Sequence, residues 1–351
     1  MLELKNVQKT VLGDVHIHPT DLILSPGCFN ILLGTTLSGK TTLMHLMAGL
    51  EKPSAGEVWF NGSDVTGTAV QKRNVSMVYQ QFINYPNMSV FENIASPLRV
   101  IRANEPEIKK RVGEMAELMK ISAMLDRRPS ELSGGQQQRT AMARALVKES
   151  DLVLLDEPLA NLDFKLREEL RDELPKIFKE RNCVVVYATT EPTEALLLGG
   201  QTAALHQGRV VDFGATGERY RRPSHLLSAQ VFSEPPMNIA TAKKAGSKMM
   251  INENVSWKLE SKLPDGEYTV GIRAHNVTVE KPSKSAVELN GTVKVAEISG
   301  SESMVHFLAF DKDWISLSHG VHAHESGENI KLHLDPSKFL YFDHSGKLVD
   351  V

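Results

Sequence analysis

An α/β core followed by an all-β domain is the fold class that this sequence predicts, on three observations. Residues 1–235 alternate apolar strand-like runs with helical patterns, as layered α/β folds do. Residues 250–351 show short alternating strands set off by turn residues, which reads as all-β. Between the apolar run Phe29-Asn30-Ile31-Leu32-Leu33 and the helical pattern from Thr41 to Leu50 lies Gly34-Thr35-Thr36-Leu37-Ser38-Gly39-Lys40-Thr41. A glycine-bracketed loop that ends in Lys-Thr between a strand and a helix N-terminus is a phosphate-binding loop.

At 351 residues the chain exceeds what one hydrophobic core usually supports, so two domains are expected, 1–235 and 236–351, with the break near Ser233-Glu234-Pro235-Pro236. The small, polar and basic residues from Ala240 to Lys248 suit a linker. Within the first domain Ile108, Val112, Met115 and Met119 recur at helical spacing behind Pro106. That pattern predicts a helical insertion with the methionines as core filler. A net charge of -3 without a long Lys/Arg run leaves no electrostatic footprint for nucleic acid or for an anionic membrane. No basic n-region precedes an apolar stretch, and no apolar run is long enough to span a bilayer, so a cytosolic or peripheral protein is expected, touching a membrane only through other proteins. Cys28 and Cys183 each sit beside an apolar strand-like run and read as reduced core thiols rather than a disulfide.

The chemistry starts at the loop. Its successive backbone N–H groups, Gly34 through Thr42, form an anion nest, Lys40 neutralises the β- and γ-phosphates of ATP, and the Thr41 hydroxyl binds Mg²⁺. The run Leu152-Val153-Leu154-Leu155 ends on Asp156-Glu157. A bare acidic pair after a strand is usually a solvated strand end; downstream of a phosphate loop, Asp156 would hold Mg²⁺ through water and Glu157 would orient or deprotonate the attacking water. Upstream of that run, Leu132-Ser133-Gly134-Gly135-Gln136 precedes a helix through Arg144 and Leu146, and its N–H groups offer a second anion site. Two phosphate grips that approach one nucleotide from opposite sides cannot come from one chain, so Ser133, Gly134, Gly135 and Gln136 imply a second chain.

With these motifs the chain resembles the ATPase subunits of ABC transporters over essentially its whole length. Met77-Val78-Tyr79-Gln80, followed by Tyr85-Pro86-Asn87-Met88-Ser89-Val90-Phe91-Glu92-Asn93-Ile94, is similar to the family's glutamine loop, which makes Gln80 the metal and water sensor. Pro158-Leu159-Ala160-Asn161-Leu162-Asp163 resembles the loop linking the two nucleotide sites of the dimer, with Asp163 among the site residues. Val270-Gly271-Ile272-Arg273-Ala274-His275 and Val295-Ala296-Glu297-Ile298-Ser299-Gly300-Ser301-Glu302 resemble the regulatory β-domain of carbohydrate-importer ATPases of the maltose-importer kind. The resemblance implies a P-loop NTPase cassette with a RecA-like core and a helical subdomain at about 88–150, then an OB-like regulatory domain at 236–351. It also implies ATP and Mg²⁺ as cofactors, import of a sugar, polyol, glycerol or glycerol phosphate, and a place on the cytoplasmic face of the inner membrane. Implied partners are a second ATPase subunit, two permease subunits docking near Gln80 to Arg99, and, indirectly, a solute-binding protein.

Three positions depart from the family. Val11 stands where the family carries an aromatic that stacks on adenine, Leu37 where the loop carries its second glycine, and Thr190, in Tyr187-Ala188-Thr189-Thr190-Glu191-Pro192, where the switch histidine belongs. A lost base stack costs about 1–3 kcal/mol and a non-glycine at positive φ roughly 1–2 kcal/mol; a lost polar group aimed at the transition state costs about 10²–10³ in rate. All three lie on the chain's own side of a site, whereas the lent Ser133–Gln136 segment is intact. The expected assembly is a heterodimer whose own-side site is impaired. The alternatives are an active homodimer, in which Thr189, Thr190 or water compensates, and a non-hydrolysing ATP-binding regulatory module. His319, His322 and His324 lack accompanying ligand spacing and read as a solvated loop rather than a metal site.

Overall fold

A computed structural model describes residues 1–160 and 162–351, and divides the chain into two compact units, Met1–Gly217 and Glu218–Val351. Asn161, part of the segment expected to link two nucleotide sites, lies outside the described residues.

The first unit begins with a hairpin, β1 (Leu2–Val11) and β2 (Asp14–Leu24), followed by β3 (Phe29–Leu33), α1 (Lys40–Ala48), β4 (Ala55–Phe60), β5 (Ser63–Asp64) and β6 (Val75–Val78). Three helices come next, α2 (Val90–Val100), α3 (Glu105–Leu118) and α4 (Gly134–Leu146), within the expected helical subdomain. The chain then returns through β7 (Leu152–Asp156), α5 (Phe164–Glu180), β8 (Val184–Thr189), α6 (Pro192–Leu198), β9 (Gln201–His206) and β10 (Arg209–Ala215). One sheet runs β2-β1-β4-β5 and is antiparallel; the other runs β10-β9-β3-β8-β7-β6, parallel from β9 through β6. Strands β3, β7 and β8 are buried at every residue, which explains why they read as unbroken apolar runs and not as alternations. Leu43, Met44, Leu46 and Met47 of α1 join one core with Leu4, Leu22 and Val58 of the first sheet and Leu32, Leu154 and Val186 of the second.

The helices follow their sequence signals. Asn104 caps α3 through its side-chain oxygen, Pro106 sits in the first turn, and Ile108, Val112 and Met119 are buried. Asp163 caps α5, whose buried stripe Leu166, Leu170, Leu174 and Phe178 repeats every fourth residue.

The second unit holds two antiparallel sheets around one core, one of six strands including Asn238–Ala245 and Gly266–Ile272, and one of five strands including Val287–Ile298, Glu302–Ala309 and Lys312–His319. They form a nearly closed, barrel-like sheet arrangement consistent with an OB-like domain. Trp257 stacks on Phe339 at 4.7 Å between ring centroids, and its indole N–H donates to the Tyr341 hydroxyl at 2.9 Å. Burial pushes the Tyr341 pKa up to about 12.

The expected linker at Ala240–Lys248 is wrong. Asn238–Ala245 is a strand that pairs with Gly266–Ile272 along seven residues, and Lys248–Met250 is the next strand. The physical reason is period-two burial hidden by small side chains: Asn238, Ala240, Ala242 and Lys244 face inward, and Lys244 Nζ donates to the Gly246 carbonyl at 2.7 Å. Of the three histidines expected in a loop, His322 and His324 lie in irregular chain, whereas His319 ends the strand Lys312–His319 and faces Glu302 of the neighbouring strand. Among the described residues no His, Cys, Asp or Glu cluster is placed to hold a metal ion.

Candidate nucleotide site

The parallel sheet builds the site by register. Leu33 pairs with Thr189, Asp156 with Ala188, and Val78 with Leu155. The phosphate loop after β3, the acidic pair at the end of β7, the Thr189-Thr190 segment at the end of β8 and the Gln80 segment after β6 therefore leave the sheet side by side at its carboxyl edge, where open α/β sheets bind ligands.

The loop is pinned at both ends. Gly34 N–H donates to the Thr189 carbonyl at 3.3 Å, and a Cβ on Gly34 would lie 2.5 Å from both the Leu205 carbonyl oxygen and Ser38 Oγ. No larger residue fits without displacing backbone. Gly39 precedes α1 at φ 103 with no side chain capping the helix, which leaves the first-turn N–H groups free for an anion. Leu37 has φ 66 and is 96 % exposed. The loop has not relaxed around the missing glycine: leucine accepts the left-handed conformation, with its side chain in solvent.

Lys40 is 5 % exposed; its ammonium donates to the carbonyls of Gly34 at 2.8 Å and Thr35 at 3.2 Å and lies 3.5 Å from Glu157 Oε1. Burial lowers its pKa and the Glu157 charge partly restores it. Glu157 Oε2 accepts from Gln80 Nε2 at 3.0 Å. The structure thus brings together the expected base, sensor and phosphate-neutralising residue in one hydrogen-bonded cluster, with Glu157 itself held at φ 47, a backbone strain of the kind found at functional sites.

The Thr41 hydroxyl donates to Asp156 Oδ2 at 2.7 Å, tying the first turn of α1 to the end of β7. Burial, more than the Thr41 hydrogen bond offsets, raises the Asp156 pKa, and the Glu157 charge adds to the rise. Asp156 Oδ1 and Ser38 Oγ are buried oxygens without a hydrogen-bond partner. An orphaned carboxylate oxygen of Asp156, on a residue already bonded to a threonine hydroxyl, fits a hard divalent cation that keeps part of its water shell. Thr41 and Asp156 would hold such an ion, which would neutralise charge developing on a bound triphosphate.

A cavity of about 500 Å³ opens over this cluster, lined by Thr36 to Thr42 along with Gln80 and Glu157. Val15, His16, Gln207 and Gly208 also line it; the sequence reading did not find them, since β2 and the β9–β10 turn carry no phosphate motif. Val11, Gly34, Thr35, Asp156, Asp163, Thr190 and the Ser133 to Gln136 segment are expected at the site and do not line this cavity. Val11 sits opposite Asp14 at the hairpin turn, Thr190 is half-buried beyond β8, and the Asp163 carboxylate accepts from Leu166 N–H at 3.0 Å. Ser133 caps α4 and Gln136 closes a reciprocal capping box, the Gln136 Oε1 accepting from Ser133 N–H at 2.9 Å. Ser133 and Gly134 are exposed.

Comparison with known proteins decides what this arrangement is. The ABC transporter family model matches residues 17–160. An sn-glycerol-3-phosphate import ATP-binding protein UgpC from Pectobacterium atrosepticum is 31% identical over 348 residues, covering 97% of each chain, and one from Bordetella avium is 34% identical over 311 residues, covering 87% of this chain and 85% of that protein. The chain belongs to the ATP-binding subunits of ABC transporters. Among solved structures, the dimeric post-hydrolysis state of the ATP-binding cassette MJ0796 bound to ADP and Pi superposes with a TM-score of 0.57 at 29% identity, over 62% of this chain and 99% of that one. CbiO1 from Clostridium perfringens, part of the transporter complex cbiONQ, gives 0.57 at 25% identity, over 62% and 90%. The cassette is accordingly an ATP-binding, ATP-hydrolysing fold.

Two variants probe the site. Leu37→Gly removes a left-handed leucine at a cost in unfolded-chain entropy, so a net gain of about 0.5–1 kcal/mol is expected, read as a raised thermal midpoint. Asp156→Asn removes a buried charge. Because the folded-state pKa of Asp156 is raised, wild-type stability falls as pH climbs from the ordinary carboxylate range through that raised value, and the loss persists above it. The variant should melt higher than wild type near neutral pH, and the gap should close as pH falls toward about 4.

Proposed function

We propose that the chain is the ATPase subunit of an inner-membrane importer for sn-glycerol 3-phosphate or a related polyol or sugar, working on the cytoplasmic face as one half of an ATPase heterodimer. One observation carries the reading: a chain that aligns end to end with proteins named as glycerol-phosphate import subunits also holds Lys40, Glu157 and Gln80 as one cluster. Mg²⁺ at Thr41 and Asp156 serves ATP turnover, with Glu157 placing the attacking water and Gln80 reporting on it.

Permease coupling is supported by a second surface. A cavity of about 290 Å³ is lined by Met77, Tyr85, Pro97, Val100, Ile101 and Arg144, and Ile83, Tyr85, Met88, Val100 and Ile101 are exposed apolar residues of that neighbourhood. The Arg144 guanidinium lies 4.9 Å from the Tyr85 ring centroid and bonds the Ile83 carbonyl. A short amphipathic helix from a permease fits such a groove through its apolar face. Among the described residues no helix is long and apolar enough to cross a membrane, so force reaches the solute pathway through that contact.

The heterodimer rests on asymmetry between what the chain lends and what it keeps. Ser133–Gln136 is a capped, exposed helix start, whereas Val11, Leu37 and Thr190 depart from the family pattern on the chain's own side. The assembled Lys40–Glu157–Gln80 cluster favours a homodimer as the second reading. Proteoliposomes holding the permease pair, solute-binding protein outside and ATP inside, should accumulate labelled sn-glycerol 3-phosphate or glycerol in an ATP-dependent way that Glu157→Gln in both ATPase subunits abolishes. Outward movement, or uptake indifferent to ATP, would refute the proposal.

A further inference from the structure

The nucleotide cavity has two chemically different halves. The loop from Thr36 to Thr42, together with Gln80 and Glu157, supplies the ammonium, hydroxyl, amide and carboxylate groups that suit a triphosphate and its attacking water. The remaining lining, Val15 and His16 of β2 and Gln207 and Gly208 of the β9–β10 turn, offers neither a carboxylate nor an ammonium. It presents an aliphatic side chain, an imidazole and an amide, a set suited to the flat, partly apolar end of a nucleotide.

The two halves are clamped together. Gly208 N–H donates to the Ser38 carbonyl at 2.9 Å, and His18 N–H donates to the Gly208 carbonyl at 2.9 Å. At Gly39 an added Cβ would lie 2.8 Å from Ile17 Cδ1 and 3.4 Å from the His16 carbonyl oxygen, so β2 packs directly on the phosphate loop. Ile17 is 1 % exposed and faces the core; strand alternation turns its neighbour His16 outward, and His16 is exposed. Val11, which stands where a base-stacking aromatic was expected, is not among the residues lining the cavity. Among the described residues that line it, His16 is the one with a ring.

We propose that His16 is the nucleobase platform of this site, supplying the ring that position 11 lacks. The proposal rests on the ATP-binding reading and adds the residue that grips the base. A base stack on an aromatic side chain corresponds to about 5-fold to 150-fold in affinity, and a single imidazole belongs at the lower end of that range.

The test compares two probes on the full-length chain, MgATP and magnesium tripolyphosphate, with Kd measured by calorimetry in a Glu157→Gln background that prevents turnover. His16→Ala should raise the Kd for ATP about 5-fold or more and leave that for tripolyphosphate unchanged, and His16→Phe should restore or tighten ATP binding. An unchanged ATP Kd, or equal weakening of both probes, overturns the assignment of His16 while the site keeps its ATP. A protein with native His16 that melts normally yet binds neither probe overturns the ATP reading itself. Because His16 is exposed on β2, the variants are expected to keep the parent's melting midpoint, and a lowered midpoint together with loss of both probes counts against the platform role.

Discussion

The level ending of four adjacent parallel strands is the constraint on which the site depends. Backbone pairing of β6, β7, β8 and β3 sets Val78, Leu155, Asp156, Ala188, Thr189 and Leu33 in one register, and that register places a phosphate loop, two carboxylates and a glutamine within hydrogen-bond reach of one another. The Thr41–Asp156 hydrogen bond then fastens the helix to the sheet at the point where a metal ion would sit. Apolar side chains buried on both faces of β3, β7 and β8 hold the register, because a slip would break their close packing against the layers on either side.

The site is assembled against its own stability. Asp156 is buried with one oxygen unpartnered, Lys40 is buried with its pKa lowered, and Leu37, Gly39 and Glu157 all hold positive φ. Desolvated charge and strained backbone are tolerable only where the surroundings over-determine them; here Gly34, with no room for a side chain, and α1, packed in the core, do so. A bound triphosphate and cation would meet the unpartnered Asp156 oxygen and the Lys40 charge together, so ligand binding and site stability are coupled.

Much of this was legible in the sequence because phosphate chemistry leaves short local signatures. The Gly34–Thr41 loop, the Asp156-Glu157 pair after an apolar run and the Ser133 helix start each carry their mechanism within a few residues. The parts that were not legible are the ones made by packing between distant segments. His16 and Gln207 reach the cavity only because β2 and the β9–β10 turn press on Gly39, and nothing in their local sequence marks them. Ala240 to Lys248 was misread because alanine is a poor signal of burial, so a strand with small inward side chains looked like a linker. Leu37 shows the converse: the sequence located the departure, and only the backbone could tell whether the loop had relaxed.

The proposal that this chain's own-side site is impaired and that its intact Ser133–Gln136 segment serves a partner is tested most directly by steady-state ATP hydrolysis by the purified chain across a concentration series. The account predicts low turnover that rises no faster than linearly for the chain alone, and activity that appears when a second ATPase subunit with an aromatic platform, loop glycine and switch histidine is added. Turnover by the chain alone that climbs more steeply than linearly, and that Glu157→Gln abolishes, would contradict the account and establish a working homodimer.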